Sequence, residues 1–398
     1  MEIIIGKPYI RPVEERNSSL LCSDLEGIGK PFTLWYEVDE RYAQYLCTER
    51  ADAFLIGLLP YAMAHSLEGD PLVVKCKAPI SEQLYYQLHS HYMPTLVKCI
   101  DWYHNIEIKC ELDSKKLESK NAVGAGVSGG VDSWYTLLKS KRCNSQKYQI
   151  SHGAYFEFGP NGIFDRELQN KMREMARNVC SLNNIAFVNI KSNICKDIYR
   201  IAHGAIITCM FASYAGALQK LFSIFYTSAT FPYKNFKISG DRSESYKLLN
   251  VHCFSNENII FYASGSDMTR HEKISYIADC NFPRKTLMVC LVPRIEKGIL
   301  QNCSKCSKCT TTMIDLDLMD KLDYFGDVFD VKAYRDNPNY YLGYLSFRGK
   351  KDPFVKETLE KFKEYNRSFP FSARIVGFFK WISHGFKRGN PLLYTYRP

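Results

Sequence analysis

Ala122-Val-Gly-Ala-Gly-Val-Ser-Gly-Gly-Val-Asp-Ser-Trp-Tyr135 is the stretch on which the reading of the whole chain turns. Its first residues are small and apolar, the pattern of a buried parallel strand. The run breaks at Ser128-Gly-Gly-Val-Asp-Ser133, and from Trp134 onward, with Leu137 and Leu138 a turn later, the spacing is helical. Strand, glycine turn and helix start together aim backbone N–H groups at an anion. Glycine permits positive φ and close approach, and a helix N-terminus carries partial positive charge. Ser128 and Ser133 add hydroxyl donors. Asp132 is the odd residue, an anion beside anions, which implies a cation such as Mg²⁺ between them. The loop, with Gly129, Gly130 and Val131 at its centre, is read as neither a Walker A loop nor a dinucleotide Gly-x-Gly-x-x-Gly turn.

Ser-Gly-Gly-Val-Asp-Ser resembles the pyrophosphate-binding PP-loop of the adenine nucleotide alpha hydrolase-like ATP pyrophosphatases. That resemblance implies cleavage of ATP between its α and β phosphates. It also implies a HUP-type α/β fold, and the order of elements after the loop agrees with such a sheet. Residues 148–156, 185–190, 223–228 and 259–264 read as strands, alternating with helical stretches over 164–182, 203–221 and 267–278. Alternation of this kind implies a doubly wound parallel sheet with its ligand beyond the carboxyl ends of the strands. Ser264-Gly-Ser-Asp-Met-Thr-Arg270, followed by Lys273, brings cations toward a released pyrophosphate through Thr269, Arg270 and Lys273. The plainer alternative is a capped surface helix with Asp267 as its N-cap.

Asn302-Cys303-Ser-Lys-Cys306-Ser-Lys-Cys309 has two successive two-residue gaps, and Cys290 precedes it. This spacing lets four thiolates converge on one cation, with Lys305 and Lys308 beside the sulfurs. Zn²⁺ is favoured over an iron–sulfur cluster, and a persulfide-carrying cysteine is a third reading. A PP-loop followed by Cys290, Cys303, Cys306 and Cys309 resembles the 7-cyano-7-deazaguanine synthase family. The resemblance covers roughly residues 120–330. It implies adenylation of a carboxylate with ATP and Mg²⁺, amide formation with ammonia, and a structural zinc. Two departures stand out: the first cysteine gap is longer than in that family, and Thr311 stands where such sequences often have arginine.

The expected organisation is an N-terminal α/β accessory domain over 1–118, an ATP-binding domain over 119–289, a zinc module over 290–330, and a basic, aromatic helical tail over 331–398. In the accessory domain, His89, His91 and His104 lack a recurring ligand spacing and read as ordinary imidazoles. Residues 81–100 carry apolar positions at helical spacing, with Pro94 as a kink or break. Residues 113–120 read as a linker. In the tail, residues 374–387 alternate aromatic and basic positions, a stripe that more often packs on its own domain or a second subunit than on a membrane or RNA.

Lys+Arg 52 against Asp+Glu 42 gives a formal charge of +10, which suits a nucleotide or RNA partner without demanding one. The start does not have the build of a secretory signal, and no stretch is long enough for a membrane span. Fifteen cysteines spread over 398 residues read as reduced thiols of a cytoplasmic protein. The resemblance makes the expected partners ATP and a small acid, deazapurine-like or peptide, with a homodimer possible and nucleic acid not favoured. His152 and His203 are positioning candidates only. Asp132, Ser128 and Ser133 are the expected catalytic set of an AMP-forming ligase. The rival readings are a sulfur transferase acting on RNA nucleobases, and a zinc-bearing nucleotide- or RNA-binding module without turnover.

Overall fold

A computed structural model describes residues 1–157, 166–199, 204–348 and 352–385. His203 and the far end of the aromatic-basic stripe, with Phe386 and Lys387, lie outside them. The chain begins with β1 (Glu2–Ile5), β2 (Tyr9–Val13), β3 (Ser18–Glu26), β4 (Phe32–Asp39) and α1 (Asp52–His65). It continues through β5 (Val73–Cys76), β6 (Ile80–Ser81), α2 (Glu82–Gln87), α3 (Met93–Cys99), β7 (Glu107–Lys109) and β8 (Leu112–Asp113). The three strands over residues 2–26 escape the sequence reading. Between α2 and α3 the backbone takes a π turn over Leu88–Tyr92. Pro94 follows at once, and a widened turn is how a helix accommodates a residue without an N–H whose ring crowds the preceding carbonyl.

Strands and helices then alternate as β9 (Ala122–Gly126), α4 (Val131–Lys141), β10 (His152–Glu157), α5 (Arg166–Leu182), β11 (Ala186–Ser192), α6 (Ile207–Gly216), β12 (Phe222–Ser228), α7 (Lys247–Phe254), β13 (Ile260–Ser264) and α8 (Arg270–Ala278). Beyond them lie α9 (Asn281–Thr286), the hairpin β14 (Arg294–Glu296) and β15 (Ile299–Gln301), and α10 (Ser307–Leu318). The tail holds α11 (Val331–Asp336), α12 (Pro338–Arg348), α13 (Pro353–Glu364) and α14 (Phe371–Gly385).

One sheet gathers eleven strands, in the order β13-β12-β9-β10-β11-β4-β3-β1-β5-β7 with β2 beside β3. The run from β13 to β11 is wholly parallel. β9 is its first strand in the chain and lies at its centre, so the order of connection reverses there. β11 then meets β4 antiparallel, with Ile190 opposite Val38 and Ser192 opposite Tyr36. The sheet of the first hundred residues is thus continuous with that of the loop-bearing half, and the whole is α/β with a mostly parallel centre.

Two apolar cores cover the two faces. Ala122, Phe156, Phe222, Phe225 and Phe261 pack with α1, α6 and α7, while Val123, Ala125 and Val127 pack with α4, α5, α8 and α10. The stretch read as a linker is pinned. Arg50, buried, donates to Asp113 Oδ2 at 2.9 Å and pairs with Glu257 at 3.3 Å. No helix of the described residues is long and apolar enough to cross a membrane.

Phe225 is fully buried at the centre of the first core, 5.2 Å from Phe222 and 5.8 Å from Phe156 between ring centroids. Phe225→Ala is therefore expected to cost about 3–5 kcal/mol of stability, read from the denaturant midpoint.

Candidate functional site

The loop between β9 and α4 has the shape its residues dictate. Gly129 sits at φ 69°, and a Cβ there would come within 2.5 Å of Met175 Sδ, so both conformation and space require glycine. Its carbonyl accepts from Met288 N at 2.9 Å, which ties the loop to the segment that leads into the cysteine module. Gly124, Gly126 and Gly129 stand at Gly-x-Gly-x-x-Gly spacing. Gly124, however, lies inside β9, where a Cβ would strike the rings of Phe222 and Phe225 at 2.6 Å. It is a packing glycine and belongs to no phosphate turn.

The two serines part company. Ser128 is exposed, and its hydroxyl accepts from Gly130 N at 3.4 Å. Ser133 is buried; its hydroxyl accepts from Ser128 N at 3.2 Å and donates to Gly126 O at 3.3 Å, bracing the loop from inside. The first-turn N–H groups of α4, from Val131 onward, have no intrahelical acceptor, as at any helix start.

Asp132 explains itself without an outside cation. Its Oδ2 accepts from Arg270 Nη1 and its Oδ1 from Lys273 Nζ, each at 3.2 Å. Lys273 is wholly buried and also donates to Ala229 O. Burial pulls the Asp132 carboxyl upward, but the Lys273 ammonium and then the Arg270 guanidinium outweigh it and hold it below the ordinary range. The same burial lowers Lys273 despite its partner. Lys308, from the cysteine module, feels Arg270, Asp132 and Cys306 together; desolvation first, then Arg270, push it down as well. Lys247 stands behind, donating to Ser228 O and paired with Glu244 at 2.8 Å. The result is a cationic recess with one carboxylate at its centre. Only Asp132, Arg270 and Lys273 were singled out for it from the sequence, because lysines at 247 and 308 carry no local signal.

α8 delivers Arg270 and Lys273 because its start is firmly set. Thr269, not Asp267, is its N-cap, in a capping box with Glu272: Thr269 N donates to Glu272 Oε2 at 2.7 Å, and Glu272 N to Thr269 Oγ1 at 3.4 Å. Asp267 instead pairs with Lys139 at 3.0 Å. His271, on the same helix, lies 3.1 Å from Asp315 of α10 and 3.2 Å from the Tyr365 hydroxyl. The tail walls the recess, since Phe354 of α13 stacks on Phe231 at 5.2 Å and lies under Arg270 at 5.7 Å. His152 stands at the amino end of β10, away from the loop, with its Nδ1 2.9 Å from Ser151 Oγ.

Cys290, Cys303, Cys306 and Cys309 converge so that their sulfurs all lie within 4.8 Å of one another. Cys290 to Cys306 is 3.9 Å and Cys306 to Cys309 is 3.4 Å. A Zn–S bond of about 2.3 Å with tetrahedral angles sets sulfurs about 3.8 Å apart, so the group fits zinc. Amide N–H groups of Val292 and Cys303 point at Cys290 Sγ, and that of Cys306 at Cys303 Sγ, the donors a thiolate accepts. The hydrogen bond from Cys290, and then that from Cys309, lower Cys306 far below the ordinary thiol range. The long first gap is filled by the β14–β15 hairpin, turning at Lys297 and Gly298 with positive φ. Asn302 joins both ligand segments, accepting from Val289 N and Cys290 N and donating to Leu287 O and Val328 O. No other cluster of metal-ligand type occurs among the described residues, the histidines at 89, 91 and 104 included.

Two outcomes follow. Cys306→Ser should abolish bound zinc, measured by elemental analysis, and lower the melting temperature, whereas Cys99→Ser, at an exposed thiol outside the cluster, should change neither. Asp132→Ala should destabilise the protein by about 3–5 kcal/mol, because it leaves buried Lys273 unpaired. Because its folded-state carboxyl is depressed, the Asp132 contribution is present above the usual carboxylate pKa and is lost only as pH falls through the lower folded value. A pH titration of unfolding that compares wild type with Asp132→Asn reads this directly.

Comparisons with protein-family models, with curated proteins and with solved structures each return no match for this chain.

Proposed function

We propose that the chain is an ATP pyrophosphatase of the PP-loop type on a HUP-type sheet. In this reading it is an AMP-forming carbon–nitrogen ligase resembling the 7-cyano-7-deazaguanine synthases, acting in the cytoplasm on a small deazapurine-like or peptide acid. One observation carries the reading. Arg270 and Lys273 converge on Asp132 at the first turn of α4, beside positive-φ Gly129, where the strand order reverses. Ligands of open α/β sheets bind at such a point.

The Ser128 hydroxyl and the first-turn amides of α4 bind the polyphosphate oxygens. A substrate carboxylate oxygen attacks the α-phosphorus, the bond to pyrophosphate breaks, and an acyl-adenylate forms. Arg270 and Lys273, both buried, stabilise the charge that develops on the leaving pyrophosphate, and exposed Lys308 adds its field. Mg²⁺ bound with the nucleotide would supply further charge neutralisation, and Asp132 would hold it only by giving up part of its pairing with Arg270 and Lys273. Ser133 acts indirectly, by holding the loop open for the phosphates. Ammonia or an amine then displaces AMP from the acyl carbon. The attacking carboxylate is already ionised, so no general base is required, and neither His152 nor His203 is assigned one. The Cys290–Cys309 group holds structural zinc and braces the loop through Met288.

The test is incubation with ATP, Mg²⁺ and pools of small acids, followed by detection of AMP and pyrophosphate by mass. Lys273→Met is expected to lower kcat about 100- to 1000-fold, the scale for losing one donor aimed at developing charge. Asp132→Asn, which keeps the shape of the side chain, should abolish turnover. Nucleotide binding without AMP in every pool would sink the enzymatic reading.

A further inference from the structure

The parallel half of the sheet ends at β13, whose α4-side face is open beyond the partial cover that α4 gives to β12. α8 follows β13 but packs on α4 and leaves that face uncovered. Phe225 and Phe261 point into the first core, whereas Tyr226 and Tyr262, opposite one another in register, point outward. Their rings are stacked, with centroids 5.7 Å apart and planes 29° from parallel. Tyr148 joins them, its carbonyl accepting from the Tyr226 hydroxyl at 3.2 Å, and Tyr233 closes the far side.

These four tyrosines line a cavity of about 400 Å³. A second cavity of about 450 Å³ shares Tyr148 and Tyr262 and runs on toward Lys116 and Lys147. Tyr262 is 40% exposed and Tyr233 52%, so the aromatic faces are open. Of the two carboxylates along the groove, Asp267 is paired with Lys139, and Glu257 shares Arg50 with Asp113. Lys116 and Lys147 are exposed and make no ion pair among the described residues, and the Lys147 ammonium hangs over the Tyr148 ring at 5.8 Å. The groove therefore offers aromatic planes at stacking spacing, with unpaired cations along its length.

We infer that this groove binds single-stranded nucleic acid, with bases stacked on Tyr226, Tyr262 and Tyr148 and phosphates along Lys116 and Lys147. Aromatic planes interleaved with cations are what an unpaired strand needs, since every base has a π-face and every linkage a charge. A duplex hides its bases and would not use the tyrosines. A mononucleotide would fill only the first cavity and would leave the second, with both free lysines, unused. The groove borders the Asp132 group at the Gly265 turn, where a Cβ would touch Lys273 Cε and the Tyr135 ring at 3.0 Å, but neither Asp132, Arg270 nor Lys273 lines it.

The test is fluorescence anisotropy with labelled eight-nucleotide oligouridylate and oligothymidylate. Wild type should bind at least one of the two in the micromolar range. Tyr262→Ala, an exposed position, should weaken binding about 10-fold or more. Lys147→Glu, fully at the surface, should reduce the slope of log affinity against log salt by about 0.7. Two results would overturn the inference: no binding of either strand at about 100 μM protein in low salt, where even non-specific contacts register, or affinity unchanged in both variants. A concentration-dependent dimer that Tyr262→Ala dissolves, with neither strand bound, would assign the face to a second copy of the chain and overturn it equally.

Discussion

A single carboxylate placed among cations is the constraint on which the site rests. Asp132 faces Arg270 and Lys273 directly and Lys308 at longer range, and Lys273 is fully buried. Like charges this close repel strongly where water is scarce, so the arrangement persists only because rigid elements impose it. The capping box at Thr269 and Glu272 sets the start of α8, and His271 pins the same helix to α10 and the tail. Glu244 answers Lys247 at 2.8 Å, and Asp132 is the carboxylate that Arg270 and Lys273 share.

The cysteine module is coupled to the loop and is no separate ornament. Met288 N binds the carbonyl of Gly129, and Cys290 lies two residues later. Asn302 holds the Leu287–Cys290 segment to the one that carries Cys303. Metal bound at the sulfurs would stabilise this junction, since a site absent from the unfolded chain turns binding energy into folding energy. Lys308, between two ligands, lies near enough for its charge to be felt at Asp132. The module thus shapes the β9–α4 loop as well as closing the second core.

The N-terminal residues contribute by extending the sheet. β4 completes the edge left by β11, and Asn193 fixes the seam by accepting from Trp35 N at 2.9 Å and donating to Thr33 O at 2.9 Å. The opposite edge, at β13, receives no such cover. That asymmetry leaves Tyr262 exposed and Tyr226 half-buried at that end of the sheet.

Much of the fold was legible in the chain, because its signals are local. Small apolar residues followed by two glycines read as strand and turn, alternating periods read as α/β, and two-residue cysteine gaps read as a metal cage. Each depends on neighbours within a few bonds. The β1–β3 strands were not legible, since their short alternating runs compete with turn residues at Gly6 and Asn17. The direction of Ser133, the hairpin between Cys290 and Cys303 and the tyrosine pair were hidden as well. Above all, Asp132 called for a cation, and the sequence by itself could not say that Arg270 and Lys273, some 140 positions away, were the ones to answer. That was decided by strand order and helix packing, because residues so distant along the chain are brought together only when a sheet register and a capped helix put them there.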